Sequence, residues 1–219
     1  MATISYLSGA IVPAALGQRA DFGVLLTPLM GNRPAQLGTH AHDNGVWSEF
    51  ASGGKKPFRL ERYMDHLESW APQQDRCLFA PAPDVVGDWR ATIERSRPVF
   101  GMIKALGYKV ALCAQNGMEE HLAKIPWREF DVLFLGGGQD ARLVCKANPR
   151  GEWKLSRGAQ LLTELANRKG KTVHMGRVNS FLRLRQAQAM GCASADGTIV
   201  AFGPSIRTPE VQSWLDRLN

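Results

Sequence analysis

The sequence predicts an α/β domain of the (β/α)8-barrel type, compact for that class and irregular around its first strands. Three observations carry this reading. Short apolar runs alternate with amphipathic stretches of helical period along the chain; eight such runs can be counted; and the residue types capable of chemistry gather just after them. Strand, helix and strand at this rhythm imply parallel pairing with right-handed crossovers. Eight strands favour closure into a barrel over an open doubly wound sheet. At 219 residues the chain is long enough for one large core. It contains no internal repeat, low-complexity tract or clear linker, so residues 1–219 read as a single domain.

Taken in order, the strands are expected at Ile4–Leu7, Phe22–Thr27, His40–Asp43, Cys77–Ala80, Lys109–Ala114, Val132–Leu135, Thr172–Met175 and Ala193–Asp196. Helices are expected at Leu60–Trp70, Trp89–Leu106, Gly158–Arg168, Ser180–Met190 and Pro209–Leu218. Gly107 and Gly191 follow the second and fourth of these as C-cap glycines. Thr208-Pro209-Glu210 reads as an N-cap followed by proline at the first helical position. No clear helical pattern separates the first two strands, and the irregularity is expected there.

Composition narrows the function classes. Hydrophobic residues make up 44% and charged residues 21%, as in ordinary globular proteins. No run approaches the roughly 18 apolar residues that span a membrane. The stretch Met1 to Leu16 lacks a basic start and is interrupted by Ser8, Gly9 and Pro13, so no secretory leader is expected and the location expected is cytoplasmic. The four cysteines (Cys77, Cys113, Cys145 and Cys192) form no CxxC pair, and the five histidines show no HExxH spacing, so no metal and no cofactor is expected. His40 and His42, alternating along a short strand, read as polar packing residues. Neither a GxxxxGK[ST] loop nor a GxGxxG fingerprint with a downstream acid is present. The net charge of +7 favours a polyanionic partner. Arg177, Arg183 and Arg185 cluster in one stretch, and Arg142, Lys146, Arg150, Lys154 and Arg157 in another; either reads equally as a solvated face.

The carboxyl ends of the expected strands are more informative, because barrels of this kind place their chemistry there. They carry Asp43-Asn44-Gly45, Pro83-Asp84, Gln115-Asn116-Gly117, Gly136-Gly137-Gly138, Met175-Gly176-Arg177 and Asp196-Gly197. Each segment alone is an ordinary turn or helix entrance. Together they predict one rim of carboxylates, side-chain amides and glycines. Carboxylates and amides can pair with the donor and acceptor edge of a purine, and glycines let the backbone approach a flat ligand.

In this order and spacing, over about residues 20–200, the segments resemble the tRNA-guanine transglycosylases and their phage and bacterial relatives that insert 7-deazaguanines into DNA. Asp43-Asn44-Gly45-Val46-Trp47 is similar to the family's Asp-Ser-Gly-Gly-Phe segment, which holds a catalytic aspartate. Pro83-Asp84 lies where the family places an aspartate that reads guanine. Ala114-Gln115-Asn116-Gly117 is similar to Val-Gln-Gly-Gly, and Leu135 to Gly138 to the Gly-Gly-Leu base-binding loop. Met175-Gly176, the following helix and Gly191 to Asp196 resemble the stretch that ends on the family's nucleophile, which falls on Asp196. Two departures stand out. Asn44 replaces the usual serine, and the Cys-rich zinc segment that follows the nucleophile in the tRNA enzymes has no counterpart between Asp196 and Asn219. The second departure shifts the expected partner from tRNA towards DNA.

The resemblance implies a base-exchange glycosyltransferase without cofactor or membrane partner. Asp196 would attack the anomeric carbon and expel guanine, leaving a covalent glycosyl-enzyme that a free 7-deazaguanine base resolves. Asp43 would act as general acid and base. Asn44, Gly45, Asp84, Gln115, Gly136, Gly137, Gly138 and Met175 would hold the base, and Arg177, Arg183 and Arg185 the nucleic acid. Two rival expectations use the same residues: a base-excising N-glycosylase or free-nucleoside transferase, and a non-catalytic nucleic-acid-binding subunit.

Overall fold

A computed structural model describes residues 3–9, 12–28, 38–146, 148 and 150–219. Its eight strands are β1 (Ser5–Gly9), β2 (Phe22–Leu26), β3 (His40–His42), β4 (Ala80–Pro81), β5 (Val110–Ala114), β6 (Val132–Leu135), β7 (Thr172–Met175) and β8 (Ser194–Gly197). All pair in parallel, in the order β3-β2-β1-β8-β7-β6-β5-β4. The two ends of that order meet. His40 bridges Cys77, the Leu78 N–H donates to the His40 carbonyl at 2.7 Å, and the His42 N–H donates to the Phe79 carbonyl at 3.0 Å. The sheet thereby closes into the expected barrel through one short seam.

Side-chain alternation sorts the strands into two cores. Leu7, Leu25, Ala41, Phe79, Ala111 and Val132 turn inwards and pack together on the barrel axis. Their neighbours, such as Tyr6, Leu112, Leu133, Met175 and Ala195, turn outwards beneath the helices. The helices are α1 (Ala14–Gly17), α2 (Val46–Ala51), α3 (Leu60–Trp70), α4 (Trp89–Ala105), α5 (Arg157–Arg168), α6 (Phe181–Met190) and α7 (Pro204–Leu218). Asp88, Ser156 and Ser180 cap α4, α5 and α6 through their side chains, while Gly107 and Gly191 follow α4 and α6 with φ of 86° and 94°.

Several boundaries depart from expectation. The connection between β1 and β2 contains the single turn α1, which is the irregularity anticipated there. The fourth strand is confined to Ala80–Pro81, with Cys77 contributing an isolated bridge. The last helix starts at Pro204, so Pro209 lies inside it and Thr208 is no N-cap; the Thr208 hydroxyl instead donates to the Pro204 carbonyl at 2.5 Å. Burial of Thr208, Val211, Trp214 and Leu215 along one side outweighs the single N–H that Pro209 lacks. Among the described residues no helix is long and apolar enough to cross a membrane.

Gly23 shows how tightly the barrel is closed. A Cβ there would lie 2.1 Å from the Thr39 carbonyl oxygen, a backbone atom that cannot swing aside. Gly23→Ala should therefore lower stability by about 1–3 kcal/mol. Gly101, inside α4 with open space around it, should respond oppositely, and Gly101→Ala should add about 0.5–1 kcal/mol. Urea unfolding of the two variants checks both signs; equal effects would mean that β2 and the segment before β3 do not approach so closely.

Candidate active site

The strand ends open into a cavity of about 410 Å³ lined by Asp43, Asn44, Asp84, Gln115, Arg177 and Asp196, together with Gly45, Gly136 and Gly137. Its floor is apolar. Leu25, Cys113 and Phe134 reach it from three strands, and Phe134 and Phe79 hold the His174 ring between them, each centroid 4.7 Å away. The three carboxylates expected from the sequence thus share one mouth.

Each is held differently. Asp196 lies in β8, on the inward side, and its Oδ1 meets His174 Nε2 at 2.9 Å while its Oδ2 accepts the Arg177 N–H at 3.2 Å. His174 Nδ1 is 2.8 Å from the Ser194 hydroxyl. With Nε2–H donated to the carboxylate, Nδ1 is the acceptor for that hydroxyl, and the ring orientation is fixed from both sides. Asp196-Gly197 is therefore not a tight turn. Gly197 is required because a Cβ would come within 2.1 Å of the Tyr6 hydroxyl and 2.3 Å of the Val178 carbonyl.

Asp84 is the centre of an amide network. Asn44 Nδ2 donates to its Oδ1 at 3.0 Å and Gln115 Nε2 to its Oδ2 at 2.7 Å. Burial pushes its pKa up, against the lowering effect of the Asn44 bond. Asn44 also donates to the Ala82 carbonyl and accepts the Val46 N–H, so both of its N–H donors are engaged inside the protein. Asn44 thus positions Asp84 while itself lining the cavity.

Asp43 follows β3 and accepts the Gly45 N–H at 2.6 Å, a short loop that Gly45 closes with a φ of 81°. Burial raises its pKa to about 6; that bond and Arg177 oppose the rise, while the charges of Asp196 and Asp84 add to it.

Gly136 and Gly137 line the cavity, while the amides of the triple glycine are engaged within the protein. The Gly136 and Gly137 N–H groups both donate to the Ala114 carbonyl, and the Gly138 N–H donates to Asn116 Oδ1 at 2.7 Å. These amides are satisfied within the protein. What the glycines permit is approach: a Cβ on Gly137, whose φ is 50°, would lie 2.3 Å from the Trp153 ring. Gly138 lines a neighbouring hollow, not the cavity. Met175 is wholly buried on the outward side of β7 and belongs to the core beneath the helices. Strand alternation excludes it from the cavity and turns Gly176 inwards instead.

Two residues have roles that their sequence context does not announce. A lone histidine on a strand reads as packing, yet His174 orients Asp196. Lys154 belongs to a basic cluster in the sequence; in the fold it is buried, its Nζ donating to the Gly176 carbonyl at 2.6 Å, and burial lowers its pKa to about 8. It clamps the turn in which Arg177 adopts a φ of 56°, the one positive value among the described non-glycine residues. The Arg177 guanidinium donates to the Gly137 carbonyl at 3.0 Å and lies 4.3 Å above the Trp47 ring, so this residue closes one side of the mouth.

Of the other expected nucleic-acid contacts, Arg183 borders the neighbouring hollow but is tied to Glu152 at 2.5 Å. Arg185, two residues along α6, lines neither the cavity nor the hollow. A two-residue step on a helix turns a side chain to the opposite face. The hollow, about 610 Å³, is bordered by Trp47, Phe50, Arg150, Arg177 and Arg183.

The raised Asp43 pKa has a stability signature. The folded state favours the neutral carboxyl, so the favourable contribution is present below the unfolded pKa of about 4 and is lost as pH rises through about 6. Asp43→Asn, neutral throughout, should exceed the parent in stability by about 3 kcal/mol near pH 8, and this gain should vanish towards pH 4. Urea denaturation across that range reads it out; a gain independent of pH would show the carboxyl to be freely solvated.

No family model matches the chain, and no curated protein matches it. Solved structures similar to it include two single-substitution variants of the tryptophan synthase alpha subunit from the hyperthermophile Pyrococcus furiosus. One is 13% identical, covering 99% of this chain and 95% of that chain with a TM-score of 0.48. The other is 11% identical, covering 83% and 86% with a TM-score of 0.46. The tryptophan synthase complex of the same organism is similar at 11% identity, over 99% of this chain and 95% of that one, with a TM-score of 0.44.

Proposed function

We propose that this chain is a base-exchange glycosyltransferase that replaces guanine in nucleic acid, DNA in preference to tRNA, by a 7-deazaguanine. The observation that carries the reading is the convergence of Asp43, Asp84 and Asp196 on one cavity at the carboxyl ends of the strands. Its volume of about 410 Å³ falls in the range of small-ligand sites.

The base-reading role falls to Asp84 and Gln115. An ionised carboxylate offers about four acceptor directions, and Asn44 and Gln115 occupy one on each Asp84 oxygen. The free directions suit adjacent donors such as guanine N1–H and N2–H. Gln115 Nε2 keeps a second N–H for the guanine O6.

Asp196 is the nucleophile of this reading. Its carboxylate bonds to C1′ as the C1′–N9 bond breaks, and the departing base takes a proton from Asp43 at N9 or N7. The incoming deazaguanine then returns its N9 proton to Asp43 and bonds to C1′, releasing Asp196, so configuration is retained. β3 and β8 are separated by β2 and β1, which sets the two carboxylates on different sides of the mouth. A duplex substrate would have to flip its target nucleotide into this cavity. The adjoining hollow, with exposed Trp47 and Phe50 beside Arg150 and Arg177, has the mixture of stacking faces and cations that suits a polynucleotide strand.

Asp196→Asn should fold normally while exchange falls at least about 1,000-fold and no covalent adduct forms. Asp43→Asn should turn over poorly yet accumulate adduct, since it spares the first attack better than the later proton transfers. Intact-mass analysis with a guanine-containing oligonucleotide and a 7-deazaguanine checks both. An adduct in Asp196→Asn would move the nucleophile elsewhere, and release of free guanine without uptake of the second base would make the protein an N-glycosylase.

Binding should also weaken steeply with salt. Arg150→Gln should reduce the slope of log affinity against log salt by about 1, with Arg185→Gln leaving it unchanged. Equal effects of the two would mean that the strand does not follow the hollow.

A further inference from the structure

On the opposite side of β3 from Ala41 and the barrel axis lies a second cluster. His40 and His42 alternate along the strand, which puts both rings on its outward face, and Cys77 stands across the seam as the bridge partner of His40. One donor atom from each of the three lies within 4.8 Å of the others. Both imidazoles are fully buried, and the Nε2 of each has no hydrogen-bond partner.

The partners of the remaining ring nitrogens are compatible with both atoms being lone pairs. His40 Nδ1 is 3.2 Å from the Gly38 carbonyl, which can only accept, so Nδ1 carries the proton and Nε2 does not. His42 Nδ1 is 2.9 Å from His66 Nε2 on α3, and donation in that direction leaves His42 Nε2 bare as well. This is how ligating histidines are generally oriented, with the second nitrogen donating to an outer partner. Two buried bare imidazole nitrogens beside a thiol are costly if nothing binds them. With the sulfur they make three of the four corners of a tetrahedral coordination set.

We propose that His40 Nε2, His42 Nε2 and Cys77 Sγ form a structural site for zinc or a divalent ion of similar softness, which pins β3 to the segment before β4 where the barrel closes. Zinc bonds of 2.0–2.3 Å require ligand atoms roughly 3.5 Å apart, so the cluster contracts by about 1 Å through side-chain rotation. Binding breaks the Cys77 S–H bond, forms a thiolate–metal bond and releases one proton to solvent. The Cys77 hydrogen bond to the Phe79 carbonyl, 3.3 Å long, is given up in the exchange. The site is independent of the catalytic reading: its ligands face away from the cavity, and none of them lines it.

The test uses the full chain freed of metal by chelator dialysis and titrated with Co(II). One equivalent should bind and give thiolate-to-cobalt charge-transfer absorption, which zinc then bleaches by displacement. Cys77→Ser should lose the band, His40→Gln should weaken binding at least about 100-fold, and His66→Phe, altering only the outer partner, about 10- to 100-fold. Zinc at about a hundred times its Kd should raise Tm by roughly 5–10 °C in the parent and not in Cys77→Ser. No band in the parent, or a band that survives both Cys77→Ser and His40→Gln, overturns the proposal. Should Cys77→Ser fail to fold, the parent's band and its loss in His40→Gln decide the matter.

Discussion

Three carboxylates facing one apolar-floored mouth constrain everything built around them. Like charges in a site shielded from water repel strongly, and each needs its own source of relief. Asp84 has two side-chain amides, Asp196 an imidazole and a backbone N–H, and Asp43 the Gly45 N–H. The surrounding residues follow from those requirements. Gln115 sits after β5 to reach Asp84, Gly136 has no side chain because a Cβ would crowd the Gln115 amide at 3.1 Å, and His174 lies on the axis because Asp196 faces inwards. The Arg177 turn, held by buried Lys154, delivers an N–H to Asp196 and a guanidinium to the mouth.

Much of this is legible in the sequence because it is governed by local rules. Apolar runs and capping residues locate the strands and most helices, and the rule that chemistry collects at the carboxyl ends of barrel strands puts Asp43, Asp84, Gln115 and Asp196 on one rim. Where expectation and structure part, the cause is side-chain direction or partner choice. Met175 follows the inward His174 and so must point outwards; the strand period of two prevails over the base-holding role that the resemblance implied for Met175. Pro209 looks like a helix start because a capping residue precedes it, and the stripe formed by Thr208, Val211 and Leu215 prevails.

Other features have no local signature. Lys154 sits among basic residues in a stretch that reads as surface, and only the return of the segment after β6 over the mouth buries it against Gly176. That return depends on contacts such as the Asp140 N–H to the Gly151 carbonyl and Gly137 against Trp153, between residues too far apart for any periodicity to announce. The His40, His42 and Cys77 cluster is a similar case. Two histidines on one strand face are visible in the sequence, but their third neighbour lies 37 residues beyond His40 by subtraction and is brought close only by closure.

Closure and chemistry are joined at β3. The strand is three residues long, its outward histidines stand at the seam, and Asp43 follows it directly. The Asp43 N–H donates to the Leu26 carbonyl at 2.6 Å, and the preceding His42 N–H donates to the Phe79 carbonyl across the seam. One peptide step therefore separates the bond that closes the barrel from the carboxyl proposed to move protons. Opening the seam would cost this region few hydrogen bonds, yet it would part Asp43 from the Asp84 side of the mouth and relieve the burial that chiefly raises its pKa. The protonation of the acid is thus tied to the completeness of the barrel, and whatever strengthens the β3 seam also fixes the carboxyl where its neighbours can tune it.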